Sequence, residues 1–364
     1  ADATDGETTL RLHSDVNLGI EGGTARARHR LDAGEGCFFA LSWSSRLDGP
    51  SSYLEAEEQL DTTSRFWRTW LASGDFPDHR WREHLQRSAL VLKGLTYMPT
   101  GAMVAALTTS LPETPGGERN WDYRYTWIRD AAFSLYALLR LGFTDEAEAF
   151  MTWLTGRFRD RADHASGPLQ IMYRVDGRSE LEEEVLDHLE GYRGSRPVRI
   201  GNGAAEQLQL DIYGELMDSA YLHNKYGAPI YHDAWVDLSR IVEWVCDNWD
   251  QVDEGIWEVR GGRKHFTHSK VMAWVAVDRA VKAIERCHVE GPLDRWRALR
   301  ATIHEQVCRE GYDANRGSFV QYYGGTSLDG SLLMIPLVGF LPASDPRVQG
   351  TLHAIERDLT VDGL

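Results

Sequence analysis

Nine segments with helical periodicity follow one another from His79 onward, with almost no strand signals between them. In the second segment, Ile128, Ala131, Leu135 and Leu138 form one apolar stripe at the spacing of a helix face. The nine segments are 79–97, 127–141, 145–158, 204–226, 230–249, 269–288, 293–309, 331–341 and 346–359. This succession predicts a mainly α fold.

Long loops alternate with short ones between these segments. The long loops are rich in Gly and cover 98–126, 159–203 and 250–268, and the first and third of them contain Trp. Paired helices with the long loops at one end predict a toroid of helical hairpins with a pocket at that end. No repeat of fixed period can be aligned, which counts against a tetratricopeptide or armadillo array. A helical solenoid stays open as an alternative.

The first 76 residues have a different pattern. Between positions 8 and 43, Leu10 and Leu12 alternate with polar residues, and a Gly-Glu-Gly turn at 34–36 separates two such runs. A sheet this small does not stand alone, so residues 1–50 are predicted to be the last part of a β-sandwich whose first strands precede Ala1. Residues 51–76 are predicted to contain a linker helix, and 77–364 an (α/α)-barrel domain.

Composition narrows the classes of ligand and location. A formal charge of -16 disfavours a nucleic-acid partner, which needs a basic face. Thirteen Trp and fourteen Tyr exceed the needs of a core, and flat rings suit the faces of sugars. The four cysteines lack metal-site spacing, and no apolar run is long enough to cross a membrane. We therefore expect a cytoplasmic protein without a metal, a cofactor or a membrane partner.

The stretch 116–130 is the first that carries chemistry. It reads Gly-Gly-Glu-Arg-Asn-Trp-Asp-Tyr-Arg-Tyr-Thr-Trp-Ile-Arg-Asp. Arg129 and Asp130 stand at a helix start behind several aromatic residues, and together they can donate to and accept from vicinal hydroxyls at the end of a sugar. An ordinary ion pair at a helix start explains the same two residues equally well.

The stretch 255–262 places a glutamate beside an indole and between glycines. It reads Gly-Ile-Trp-Glu-Val-Arg-Gly-Gly, with Trp257 next to Glu258. A partly desolvated glutamate keeps its proton and can act as the general acid that the hydrolysis of an acetal needs. Taken alone, the pattern fits an exposed loop glutamate better.

The stretch 199–211 joins polar amides to an apolar helix. It reads Arg-Ile-Gly-Asn-Gly-Ala-Ala-Glu-Gln-Leu-Gln-Leu-Asp and contains Asn202, Gln207 and Asp211. Amides suit the recognition of a neutral polyol. A helix capped by Asn202, with Gln207 and Asp211 as a polar pair one turn apart, explains the pattern without a ligand.

These stretches, in this order, resemble glycoside hydrolase family 15, which contains glucoamylases, glucodextranases and actinobacterial trehalases. The likeness runs over nearly the whole chain: 96–141, then I-G-N-G-A-A-E-Q-L-Q-L-D, then G-I-W-E-V-R-G with H-F-T-H-S-K-V-M-A-W-V-A-V-D-R. It implies an N-terminal β-sandwich, a linker helix and an (α/α)6 barrel. It also implies a neutral α-glucoside as substrate, inverting hydrolysis and no cofactor.

The resemblance assigns site residues by position. Glu258 matches the general acid of the family. Tyr123, Trp127, Arg129 and Asp130 match the aromatic wall and the polar clamp around the non-reducing glucose. The other matches, in segments that form the pocket, are Trp257, Asn202, Gln207 and Asp211.

The chain departs from the family pattern near its end. The catalytic base of the family is a glutamate in a later stretch, and the barrel has twelve helices where this chain predicts nine. We therefore expect an incomplete barrel, with the remaining C-terminal segment of the same protein as a partner. The wording H-F-T-x-S-K-V-M and I-W-E-V-R-G favours a trehalase-like substrate. Alternatives are an α-1,4 or α-1,6 glucohydrolase, an inactive fragment or glucoside-binding module without its base, and a helical scaffold.

Overall fold

The computed structural model describes residues 1–43, 47–160, 169–226, 229–259 and 261–361, and for 158–160 the backbone only. These ranges leave out part of the predicted loop 159–203, position 260 in the stretch 255–262, and the final three residues. The chain divides into two compact units, Ala1–Gly74 and Asp75–Leu364. Each unit is described separately below.

The first unit contains short strands and one long helix. Its elements are β1 Asp2–Thr4, β2 Thr9–Ser14, β3 Gly19–Glu21, β4 Thr24–Arg26, β5 Phe39–Trp43 and α1 Tyr53–Ala72. The antiparallel sheet has the order β1-β2-β5, and β3 and β4 form a separate hairpin. In the sheet Leu10 pairs with Trp43 and Leu12 with Leu41. Trp43 and Leu41 are both more than half exposed, so this face of the sheet is apolar and open.

Helix α1 starts at a well-formed cap. The hydroxyl of Ser52 accepts a hydrogen bond from the Glu55 backbone N–H, and the Glu55 carboxylate in turn accepts from the backbone N–H of Ser51 at 2.8 Å. This reciprocal arrangement satisfies backbone donors that a helix start leaves free. The helix contains no buried residue.

The second unit is built from helices joined by loops with very short strands. Its helices are α2 Arg82–Gly94, α3 Ile128–Arg140, α4 Thr144–Asp160, α5 Asp211–Tyr226, α6 His232–Asn248, α7 Thr267–Cys287, α8 Leu293–Glu310, α9 Met334–Leu337 and α10 Pro346–Leu359. Its strands are β6 Thr96–Tyr97, β7 Ala102–Met103, β8 Thr126–Trp127, β9 Met172–Tyr173, β10 Glu184–Val185, β11 Arg199–Ile200, β12 Tyr312–Asp313 and β13 Ser318–Phe319. No helix in the described part of the chain is both long and apolar enough to span a membrane.

Inner and outer helices alternate along the chain. The inner helices α3, α5 and α7 pack against one another in that order, and α4, α6 and α8 pack outside them. Helix α7 is buried at every position from Thr267 to Val281, whereas α8 buries only Trp296, Ile303 and Val307. A helix that is buried all round lies inside a fold, and one with a narrow buried stripe lies at its surface. This is the toroid of helical hairpins that the sequence predicted.

The three inner helices begin at the same end of the unit. Each of them follows one of the long loops, whereas the connections from α3 to α4 and from α7 to α8 are short. Their N-termini, with free backbone N–H groups and positive dipole ends, therefore meet at the long-loop end. This end is where the sequence placed the pocket.

Three predicted helix boundaries were wrong. The segment 204–226 is helical only from Asp211, because Asn202 caps a single 3₁₀ turn at Gly203–Glu206 and the chain then becomes extended. The segment 331–341 is a 3₁₀ turn, Gly330–Leu333, and the one-turn helix α9, which ends before Gly339 in the left-handed region. The segment 79–97 shortens to α2, and its end instead contributes the strand β6.

Candidate active site

The polar groups of the first chemical stretch lie at the start of α3. Trp127 ends β8, which pairs with β9, and Arg129 and Asp130 fall in the first turn of the helix. Trp127 is only 3% exposed, whereas 44% of the Asp130 side chain is accessible. The start of the inner helix α3 therefore combines a buried indole with a carboxylate that a ligand can reach.

Glu258 lies in the loop before α7 and has a strained backbone. Its φ is 53°, a left-handed value that costs a residue with a side chain about 1–3 kcal/mol. The Glu258 N–H donates to the Gly255 carbonyl at 3.1 Å, and the Glu258 carbonyl accepts from the Gln207 amide at 3.4 Å. Gly255 is also left-handed, and a Cβ there would lie 2.7 Å from the Phe266 ring. The local fold thus fixes the direction of the Glu258 side chain.

The base of this loop is held by buried polar groups. Asp253 and Lys264 exchange two backbone hydrogen bonds, and an Asp253 carboxylate oxygen accepts from the Leu210 N–H at 3.0 Å. The ammonium of Lys270, which is fully buried in α7, donates to the carbonyls of Trp249 and Gln251. These contacts join the loop to the starts of α5 and α7.

The carboxyl group of Glu258 meets the start of α3. The Trp127 indole N–H donates to Glu258 Oε1 at 2.7 Å, and Arg129 Nη2 lies 3.5 Å from the same oxygen. Burial raises the pKa of Glu258, although Arg129 and the Trp127 hydrogen bond oppose the shift. About a fifth of the side chain, 22%, stays accessible. The group therefore combines a tendency to keep its proton with access to a ligand, which is what a general acid needs.

Arg129 is surrounded by acidic groups. Its guanidinium lies 3.3 Å from Asp130 and 3.8 Å from Asp211, and it donates to the Gln209 amide oxygen at 3.1 Å. Glu215, one turn after Asp211 in α5, is also buried, and its burial raises its pKa well above the usual value. Glu215 therefore tends to be neutral, and Asp211 and Asp130 are the close counter-ions of Arg129.

Two partly accessible side chains, those of Tyr123 and Asp130, interact electrostatically with Glu258. Tyr123 is 37% exposed, and its ring centroid lies 5.8 Å from that of Trp127. The Asp130 carboxylate and the Tyr123 ring are thus both available to a ligand beside Glu258. The structure thus brings Glu258 close to Tyr123, Trp127, Arg129 and Asp130, and their roles as acid, aromatic wall and polar clamp stay predictions.

Asn202, Gln207 and Asp211 occupy supporting positions. Asn202 is buried, caps the 3₁₀ turn through the Ala204 N–H at 3.0 Å and donates to the Asp122 carbonyl. Gln207 supports the backbone of Glu258, and Asp211 is fully buried beneath Arg129. Asn202 and Asp211 are buried and Gln207 is half-buried, and direct contact of any of the three with a ligand stays a prediction.

Trp257 projects at the rim. Trp257 is 60% exposed, and its indole N–H donates to Asp329 Oδ2 at 2.8 Å. The sequence reasoning missed Asp329, as well as Gln209 and Asp253. Gln209 lies in the stretch 199–211, and Asp329 precedes a short turn as a typical capping residue. Neither pattern predicts a position close to Glu258.

The described ranges contain no cluster of three His, Cys, Asp or Glu side chains that is arranged to hold a metal ion. His268 is buried at the start of α7, and burial lowers its pKa and favours the neutral ring. The arrangement around Glu258 is one of acid, guanidinium, carboxylate and aromatic rings.

Comparison with known proteins places the chain in context. The family model described as glycosyl hydrolases family 15 matches residues 79–364. A trehalase of Mycolicibacterium smegmatis is 51% identical over 99% of this chain and 53% of its own length. A trehalase of Mycobacterium tuberculosis is 49% identical over 99% of this chain and 52% of its own length. The chain thus spans about half the length of the curated relatives that it matches.

A solved structure confirms the fold class. A bacterial glucoamylase complexed with acarbose matches with a TM-score of 0.68 at 12% identity, over 98% of this chain and 57% of that chain. At this identity the likeness concerns the fold alone. It identifies the alternation of inner and outer helices as that of an (α/α)6 barrel.

Proposed function

The chain belongs to glycosyl hydrolase family 15, and from this we propose that its protein is a trehalase, which hydrolyses trehalose to glucose with inversion. One observation carries the proposal: Glu258, a half-buried residue whose pKa is raised by burial, lies 3.5 Å from the Arg129 guanidinium, next to the accessible Asp130. Its likeness to the two mycobacterial trehalases supports the choice of substrate.

We assign Glu258 as the general acid. It gives its proton to the oxygen that joins the two glucose units, the bond from that oxygen to one anomeric carbon breaks, and water attacks this carbon from the opposite face. We place the base that takes a proton from this water on a segment outside these 364 residues. In an inverting enzyme the two carboxyl groups stand about 6.5–9.5 Å apart, which leaves room for the water.

The remaining groups would bind the substrate. Asp130 accepts hydrogen bonds from vicinal hydroxyls of the glucose whose bond is cleaved, and Arg129 donates to the same edge. The rings of Tyr123 and Trp127 form an apolar wall for this glucose. Trp257, at the rim, packs against the glucose that leaves. The domain boundaries predicted above and a cytoplasmic location stay predictions.

The substrate and the stereochemistry can be tested together. The full-length protein is assayed with trehalose, maltose and isomaltose, and the anomers of the released glucose are followed by proton NMR at early times. We expect trehalose to be hydrolysed fastest and to give equal initial amounts of α- and β-glucose. The attacked unit inverts to β, whereas the other unit leaves with its α configuration intact.

Two outcomes would contradict the proposal. Faster hydrolysis of maltose or isomaltose would assign the enzyme to α-1,4 or α-1,6 bonds. An initial release of α-glucose alone would mean retention at the attacked carbon, which this placement of acid and base does not allow.

The Trp127→Phe variant tests the environment of the acid. The indole N–H stabilises the ionised form of Glu258, so its removal raises the pKa of Glu258 further. The general acid must be protonated, and kcat/KM therefore falls as pH rises through this pKa. We expect the alkaline limb of kcat/KM for trehalose to move up by about 1 pH unit.

Trp121→Phe is the matched control. Trp121 lies in the same stretch, but the Arg199 guanidinium covers its ring, 4.6 Å from the centroid. The alkaline limb should stay in place in this variant. A limb that does not move in Trp127→Phe, or that moves to lower pH, would argue against Glu258 as the titrating acid.

A further inference from the structure

Asp329 is a buried carboxylate with three hydrogen-bond donors and no assigned role. The residue is 5% exposed. Its Oδ2 accepts from the Trp257 indole at 2.8 Å and from the Gln321 amide at 3.1 Å, and its Oδ1 accepts from the Ser331 backbone N–H at 2.8 Å. The carboxylate therefore joins the loop of Glu258 to a distant part of the chain.

The segment around Asp329 is fixed to the start of α7. The Thr267 N–H donates to the Gln321 carbonyl at 2.9 Å, and the Tyr323 N–H donates to the His265 carbonyl at 3.0 Å. The Thr267 hydroxyl adds a bond to the Val320 carbonyl at 2.6 Å. Asp329 thus belongs to a segment that these hydrogen bonds join to the start of the inner helix α7.

The loop itself needs such an anchor. Glu258 is left-handed at φ 53°, and a strained residue persists only where its surroundings fix it from several sides. Trp257, directly before it, is 60% exposed, so packing holds this indole weakly. The bond from its N–H to Asp329 ties the indole to the segment around Asp329, while the neighbouring Glu258 carboxyl contacts Trp127.

We propose that Asp329 is a positioning residue of the enzyme, which holds Trp257 and thereby keeps the Glu258 carboxyl in place against Trp127 and Arg129. The inference rests on the proposed role of Glu258 as the acid. Asp329 does not touch the carboxyl of Glu258, and its effect on the reaction passes through the indole.

A plain structural role is the alternative, because Asp329 also caps the 3₁₀ turn Gly330–Leu333. Asp345 provides a matched control. Its Oδ1 caps α10 through the Arg347 N–H at 2.9 Å, and its carboxylate pairs with the Arg347 guanidinium rather than with an indole. Asp345→Ala removes a cap of the same kind from a different helix, α10.

The kinetic test compares Asp329→Ala, Trp257→Phe, the double variant and Asp345→Ala in the full-length protein with trehalose. A misplacement of about 1 Å can cost about 100-fold in rate. We expect Asp329→Ala to lower kcat by about 10- to 100-fold, with a change in KM of less than about threefold. In the Trp257→Phe background the same substitution should lower kcat by less than about twofold, because the tie is already lost. Asp345→Ala should lower the melting temperature and leave kcat unchanged.

Hydrogen exchange followed by mass spectrometry tests the tie without any turnover. Peptides that cover 254–259 should exchange faster in Asp329→Ala and in Trp257→Phe, and at the wild-type rate in Asp345→Ala. If Asp329→Ala does not fold, Trp257→Phe carries this test, because it leaves the cap intact.

The outcomes separate the two proposals. A wild-type kcat in Asp329→Ala, an equal loss in the presence and absence of the indole N–H, or unchanged exchange at 254–259 would overturn the role of Asp329. A wild-type protein that does not hydrolyse trehalose would overturn the proposed function alone, because the exchange test does not depend on the reaction.

Discussion

Glu258→Gln is expected to lower kcat for trehalose by about 10³-fold in the full-length protein. The amide keeps the size of the side chain, and its oxygen can still accept from the Trp127 indole, which lies 2.7 Å from Oε1 in the native protein. It has no proton to give to the leaving oxygen. Because that oxygen belongs to a sugar hydroxyl with a high pKa, the bond breaks slowly without protonation.

A matched substitution shows whether this loss is specific. Glu206 is exposed and ends the 3₁₀ turn near the site, so Glu206→Gln changes the same chemical group without touching the acid. Its kcat should equal that of the wild type. Steady-state rates of glucose release from trehalose measure both variants, and a Glu258→Gln enzyme with more than about a tenth of wild-type kcat would rule out general-acid catalysis by this residue.

Arg129→Met is expected to damage both activity and stability. The substitution leaves Asp211 fully buried without its cation, which lies 3.8 Å away in the native protein. Removing one partner of a buried pair typically lowers the free energy of unfolding by about 3–5 kcal/mol. Loss of the charged donor to the sugar should also lower kcat/KM by about 10²-fold or more.

Two further variants identify the cause. Asp211→Asn in the Arg129→Met background removes the unpaired charge, so we expect it to restore part of the lost stability but none of the lost kcat/KM. Arg178→Met breaks an exposed pair with Asp176 and should change neither quantity measurably. Urea unfolding and trehalose kinetics are the measurements. If Arg129→Met is as stable as the wild type, Asp211 does not depend on Arg129 as its counter-ion.

The fold class could be predicted because the helices of the core have apolar residues at helical spacing in the sequence. The stripe at Ile128, Leu135 and Leu138 is a core face, and α3 begins and ends within a residue of the predicted segment. The predicted helix boundaries were wrong where a capping side chain or a glycine determines the backbone conformation. Asn202 turns the chain into a 3₁₀ turn before α5, and no periodic pattern records that choice.

The site was readable in part. The sequence indicated Arg129 and Asp130 in one stretch and Glu258 in another, and the structure places Arg129 within a few ångströms of both carboxyl groups. The sequence could not distinguish residues that would contact a ligand from residues that hold those residues in place. Asp211 and Asn202 are as polar as Asp130, and only their burial in the structure distinguishes them from it.

Long-range pairs were beyond the sequence. Trp257 and Asp329 are 72 positions apart, and their hydrogen bond depends on how the segment after α8 packs against the start of α7. The sequence around either residue therefore does not predict this hydrogen bond. The same holds for Trp127 and Glu258, which are 131 positions apart.

Hydrolysis of α-glucosyl fluoride tests most directly whether Glu258 is the acid. Fluoride leaves as an anion and needs no proton, so the reaction uses the sugar pocket and the water but not the acid. For Glu258→Gln we predict that kcat/KM for the fluoride stays within about tenfold of wild type while kcat/KM for trehalose falls by about 10³-fold. Equal losses with both substrates would contradict the assignment and would make Glu258 a binding or structural group.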